Sequence, residues 1–153
     1  MVQRHSSRIA APSVVFGDGN AMRCWWPLFG NYTMIYILVV DDHVDIRRLL
    51  SISLGSKYEV IEADNGTAAL YAIHKYHPAA VLLDVMMPGE IDGLQVLDAV
   101  KSDPKTRDIS IAMVTARGQK ADSEDARHRG ADAYFIKPFS PQQVVAWIQG
   151  HVH

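Results

Sequence analysis

Three carboxylates stand where apolar runs stop. Ala80-Val81-Leu82-Leu83 ends at Asp84 and is followed by Val85-Met86-Met87-Pro88-Gly89, and Ile37-Leu38-Val39-Val40 ends at Asp41-Asp42. A further run, Ala133-Tyr134-Phe135-Ile136, ends at Lys137-Pro138. An apolar run closed by a charge, with Pro and Gly beyond it, reads as a buried strand whose last residue emerges at the carboxyl end. With those strand ends side by side, each pair of acids repels by about 1 kcal/mol at 4 Å in water and about 4 kcal/mol in a protein-like dielectric. Something cationic must sit among them. An all-oxygen set suits a small hard divalent ion, and Mg2+ typically takes one or two protein carboxylates and completes its shell with water and phosphate oxygens. Lys137 supplies a second positive point, and Thr115, at the end of another apolar run, offers a hydroxyl beside it.

These residues need a scaffold that brings strand ends together, and the pattern from Met34 onward supplies one. The first strand, about Ile35 to Val40, is nearly all apolar, as a parallel strand covered on both faces should be. A helix follows with Ile46, Leu49, Leu50 and Ser53 on one stripe and Gly55 closing it. Tyr58 to Ala63 reads as the second strand. Asn65-Gly66-Thr67 leads into a second helix with Ala69, Ala72, Ile73 and Tyr76 inward, stopped by His77-Pro78. The third strand is Ala80 to Leu83, and its helix turns Leu94, Leu97 and Val100 inward before Asp103-Pro104. Ser110 to Val114 is the fourth strand. The helix expected after it, Gln119 to Arg129, has Ala121 and Ala126 as almost its only apolar residues and so little to bury that it should be loosely held. Gly130 ends it, the fifth strand runs Ala133 to Ile136, and Ser140-Pro141 caps a last helix with Val144, Val145 and Ile148 inward.

Five strands alternating with helices imply an α/β fold, a parallel sheet with helices on both faces. With right-handed crossovers and strand order 2-1-3-4-5, the ligand site falls beyond the carboxyl ends where the order reverses, between the strands carrying Asp41-Asp42 and Asp84.

The 153 residues have room for one domain with a full core, and we read it as 34–153. Residues 1–33 break the pattern: Arg4, His5 and Arg8 precede a patch interrupted by Pro12, then Gly17-Asp18-Gly19-Asn20 and Trp25-Trp26-Pro27. They read as a disordered extension or a start placed too early, in preference to a targeting peptide. A net charge of −2 advertises no broad basic face for nucleic acid or an anionic membrane. No apolar run approaches the roughly 20 residues needed to cross a bilayer, and the single cysteine, Cys24, fits a reducing, cytoplasmic setting.

At its chemistry-bearing residues the sequence closely resembles the receiver domain of two-component response regulators. The matching marks are Asp41-Asp42 after the first strand, Asp84 after the third with Met87-Pro88-Gly89 and Asp92-Gly93 beyond, Thr115-Ala116 after the fourth, and Lys137-Pro138-Phe139 after the fifth. The resemblance implies that Asp84 accepts a phosphoryl group from a phosphohistidine of a sensor histidine kinase or phosphotransfer protein. It implies that Asp42, Asp84 and the backbone carbonyl of Met86 bind Mg2+, with Asp41 acting on the ion through water. Lys137 would pair with a phosphoryl oxygen, Thr115 would move inward to another, and Tyr134 would swing into the space left. It also implies a cis Lys137–Pro138 bond, an influence of Met86 and Arg117 on phosphoryl lifetime, and output to a protein partner on the face of the fourth helix, fifth strand and fifth helix. The loop Gly89-Glu90-Ile91-Asp92 is one residue longer than usual in the family, which bears on where the third helix starts.

Taken singly, Asp41 reads as a helix cap, Lys137 as a solvated lysine, Tyr134 as core packing, and Arg47 and Arg48 as a solvated face. The histidines show no metal-ligand spacing and receive no role. The reading is of a regulatory phosphoacceptor that assists only its own phosphorylation and dephosphorylation, stand-alone or cut from a longer regulator. The competing reading is an aspartyl-nucleophile, Mg2+-dependent phosphohydrolase of small phosphoesters. It is disfavoured because Asp41-Asp42-His43-Val44 offers an adjacent acidic pair with no following Asp-x-Thr. Flavin or nucleotide binding lacks a glycine-rich phosphate loop after the first strand.

Overall fold

The computed structural model describes residues 3–5, 33–116, 118 and 120–152. Along the chain the elements are β1 (Gln3–His5), β2 (Tyr36–Val40), α1 (Val44–Leu54), β3 (Glu59–Ala63), α2 (Gly66–Tyr76), β4 (Ala80–Leu83), α3 (Gly93–Ser102), β5 (Ser110–Thr115), α4 (Lys120–His128), β6 (Ala133–Ile136) and α5 (Pro141–His151). The sheet order is β1-β3-β2-β4-β5-β6. Its five parallel strands, counted from Tyr36, stand in the order second, first, third, fourth, fifth, as the alternating pattern implies. A sixth strand, which a reading of five leaves out, joins the edge: β1 lies antiparallel to β3, with Gln3 opposite Glu62 and His5 opposite Val60. Of the leader, Gln3–His5 is strand and not the disordered extension expected there, while residues 6–32, Trp25 and Trp26 among them, lie outside the described residues, as does Arg117.

Strand alternation divides the core into two layers. Leu38, Val40, Ile61, Val81, Leu83, Ile111 and Met113 face α2 and α3, where Ala69, Ile73, Val96, Leu97 and Val100 meet them. Ile37, Val39, Val60, Leu82, Ala112 and Val114 face α1 and α5, where Leu50, Leu54, Val144 and Ile148 close the layer. Each fully buried Leu or Ile contributes about 1.5–3 kcal/mol over its exposed state, so the sheet is held from both sides and its carboxyl ends are fixed. On α1 the inward stripe is Leu50 and Leu54. Leu49, expected inside, is 42% exposed, because the helix turns that edge away from the sheet. α4 buries only Ala126; Ala121 is exposed.

The helix starts are locally specified. Asn65 Oδ1 accepts the Ala68 N–H at 2.9 Å and caps α2. Asp92 and Gln95 form a reciprocal capping box at α3: each side chain accepts the other's backbone N–H at 2.9 Å. That box fixes the helix start at Gly93 despite the longer loop. Ser140 precedes Pro141 at the start of α5 but makes no side-chain cap; its hydroxyl donates to Gln142 Oε1 instead. At the end of α2, His77 takes a left-handed conformation (φ 46°) and its N–H reaches Ile73 O at 3.0 Å, stopping the helix before Pro78.

Candidate phosphoacceptor and metal site

β2 and β4 are neighbours, and their register sets Val40 beside Leu83, so Asp41 and Asp84 follow them as neighbours. The Asp84 N–H donates to Val40 O at 2.9 Å and the Asp41 N–H to Ala63 O at 3.1 Å, which extends the ladders one residue into the site. Both acids are buried, at 2% and 4% exposure, whereas Asp42 turns outward.

Lys137, one residue past β6, crosses β5 to reach them. Its Nζ lies 2.5 Å from Asp41 Oδ2 and 3.1 Å from Asp84 Oδ2. The Lys137 N–H donates to Thr115 O at 2.8 Å, and the Lys137–Pro138 bond is cis. Met86 donates its N–H to Asp84 Oδ1 at 3.2 Å, though its side chain is exposed.

Burial, and then the Asp41 charge beside it, push Asp84 above the usual carboxylate range against the pull of Lys137 and the Met86 N–H. Burial pulls the Lys137 ammonium down, but its bonds to Asp41 and Asp84 outweigh that and leave it above its ordinary value. Asp84 and Lys137 border an open cleft of about 740 Å³ walled by Asp42, His43, Met86, Met87 and Ala116.

The pattern of the response regulator receiver domain matches residues 37–149. The chain belongs to the response regulator receiver family. A probable transcriptional regulator, ycf27, of Galdieria sulphuraria is 45% identical over 114 residues, which are 74% of this chain and 43% of that protein. The phosphate regulon transcriptional regulatory protein PhoB of Escherichia coli (strain K12) is 38% identical over 74% of this chain and 49% of its own length. The chain therefore spans less than half of these relatives. The solved structure of the chemotaxis protein CheY4 of Vibrio cholerae matches 78% of this chain and 99% of its own at 28% identity, with a TM-score of 0.71. Receiver domains belong to two-component systems, and phosphorylation and Mg2+ binding are general features of the family.

The donor set of this receiver domain fits a divalent cation. Asp41, Asp42, His43 and Asp84 each offer a ligand atom, all within 4.8 Å of one another, and a raised Asp84 marks a site that gains from added positive charge. His43 is a residue the sequence reading passed over; its place directly after Asp41-Asp42 was the signal, obscured because no second histidine or cysteine is spaced to match it.

Other expected residues are less directly placed. Thr115 ends β5 wholly buried, and Ala116 takes its place on the cleft wall. Tyr134 is half-buried against the α2 and α3 layer. Arg48 is exposed as expected, but Arg47 is not a solvated residue. Its side chain is 12% exposed, its Nη1 donates to Asp41 O at 2.8 Å, and its Nε donates to Glu62 Oε2 at 3.3 Å. Glu62, buried, also accepts from the Ser51 hydroxyl at 2.8 Å. The buried carboxylate draws the guanidinium inward, a pairing that helix periodicity alone does not reveal.

The upward shift of Asp84 has a consequence for stability. A carboxyl raised in the folded state stabilises the fold below its unfolded value of about 3.9 and loses that contribution as pH climbs through the folded value. At pH 7 without metal the ionised Asp84 is a liability, so Asp84→Asn should raise Tm there. The gain should shrink as pH falls and be gone near pH 3 to 4. A pair of thermal melts across that range checks it; a lower Tm for the variant at pH 7 contradicts the burial argument.

Proposed function

We propose that Asp84 takes a phosphoryl group from a phosphohistidine of a sensor kinase or phosphotransfer protein. The N–P bond breaks, the imidazole keeps its electron pair, and an Asp84 carboxylate oxygen forms the new O–P bond. The observation that carries this reading is the burial of Asp41 and Asp84 side by side at the cleft, sharing the Lys137 ammonium.

Asp41, Asp42, Asp84 and the Met86 backbone carbonyl would hold Mg2+, which when bound offsets charge on the transferring phosphoryl. The chain's own residues do the rest by position. Lys137, already 3.1 Å from Asp84, pairs with an oxygen of the incoming group, and the Met86 N–H holds the acceptor carboxylate in orientation. Thr115 and Tyr134 form the switch: the threonine turns toward the added group and the tyrosine follows. About two negative charges added at Asp84 suffice to bias a weakly held element, and α4, with one buried residue, is such an element. Output then runs through a protein partner on the α4, β6 and α5 face, where Ile136 is 48% exposed, in the cytoplasm. A second reading follows from the coverage: relatives named as transcriptional regulators are more than twice as long as the segment that matches this chain, so in a longer parent the reader is another segment of the same polypeptide.

Intact mass after incubation with acetyl phosphate and Mg2+ tests the proposal. One phosphoryl mass is expected, and none when the divalent ion is chelated. Uptake that is indifferent to chelation contradicts the metal assignment, and no uptake at all contradicts the acceptor.

A further inference from the structure

His43 is the one residue of the acidic cluster that is not a carboxylate. Its Nδ1 lies 3.1 Å from Asp41 Oδ1 and 3.0 Å from Asp42 Oδ1. Donors at adjacent corners of an octahedron with bonds of about 2.1 Å are themselves about 3.0 Å apart, so the imidazole already stands at the separation of a neighbouring ligand. The backbone delivers it there. The His43 N–H donates to Asp41 Oδ1 at 2.8 Å, and His43 O accepts the Arg47 N–H at 3.2 Å at the start of α1. No side-chain cap occupies the ring.

We infer that His43 is a fourth side-chain ligand of this site and tilts it from Mg2+ toward a divalent transition ion that accepts imidazole, such as Co2+. This rests on the metal reading given above. Oxygen donors alone suit Mg2+, whereas an imidazole nitrogen contributes little to that ion and much to Co2+, Ni2+ or Zn2+. Ligation uses the Nδ1 lone pair of the neutral ring, and the ring proton stays on Nε2. The side chain is 69% exposed, so its removal leaves the core untouched.

Calorimetric titration of the full chain with MgCl2 and with CoCl2 tests the inference, counting only Co2+ that excess Mg2+ displaces. His43→Ala should weaken Co2+ by about tenfold or more, the scale set by partners of a metal site, and leave Mg2+ within about twofold. In the proton NMR spectrum of the Co2+ complex, a hyperfine-shifted ring N–H should be present in the wild type and absent from His43→Ala. Parallel changes for both ions, or no change and no such resonance, overturn the assignment of His43. Failure of the underlying metal reading looks different: neither ion binds the wild type, or Asp42→Asn leaves both affinities intact.

Discussion

Gly93→Ala is expected to cost about 3 kcal/mol or more and to lower Tm by about 10 °C or more. A Cβ on Gly93 would stand 2.0 Å from the carbonyl oxygen of Asp84 and 2.8 Å from both Asp84 C and Val85 Cα. All three are backbone atoms, so no rotamer change relieves the clash. The start of α3 is pinned there by the Gly93 N–H bond to Val85 O at 3.0 Å and by the Asp92–Gln95 box. Either the helix lifts off, exposing Leu97 and Val100, or the segment that carries Asp84 moves. In the second case the variant loses divalent binding even where it stays folded. Gly89→Ala is the control: its φ of 109° makes any side chain strained, by about 1 kcal/mol, but nothing lies within 4 Å of a new Cβ. Urea unfolding of the two variants gives the comparison, and equal losses would contradict the steric account.

Removing the Lys137 charge is the second large effect. Lys137→Met leaves Asp41 and Asp84 buried together with no counter-charge. Breaking a buried pair by deleting one partner costs about 3–5 kcal/mol. We expect a loss near the lower end in metal-free buffer, because the cleft admits some water. Two rescues identify the cause. Mg2+ at about 100 times its dissociation constant should return about 2.7 kcal/mol if it binds where the ammonium was. Asp41→Asn in the Lys137→Met background should recover most of the loss without metal. A loss that neither rescue touches would show that Lys137 acts through packing of its stem, not through charge.

Much of this architecture was legible because chemistry and periodicity coincided. Ala80 to Leu83 and Ile37 to Val40 are uninterrupted apolar runs, buried on both faces, that can only be interior strands, and each ends in an acid. Right-handed crossovers leave few topologies, and in the order 2-1-3-4-5 the two strands are neighbours, as the sheet has them, which pairs Asp41 with Asp84. Long-range side-chain pairing was not legible. Arg47 has the helical spacing of a surface residue, and only the opposing buried Glu62 on β3 turns it inward. His43 needed the same information, since its neighbours in space include Asp84, 41 residues on along the chain. β1 was invisible because three residues of mixed polarity carry no period, and their pairing partner is the edge of β3. At Leu49 the apolar stripe of α1 is narrower than its hydrophobic residues suggest, since Leu50 is buried and Leu49 is 42% exposed.

The central claim is that an acyl phosphate forms at one carboxylate, Asp84. Reductive trapping tests it directly: after incubation with acetyl phosphate and Mg2+, borohydride converts an aspartyl phosphate to homoserine, and peptide mass spectrometry reads the position. Homoserine at residue 84, and none in Asp84→Asn, is the predicted result. Homoserine at Asp41 or Asp42, or trapping that persists in Asp84→Asn, would contradict the account.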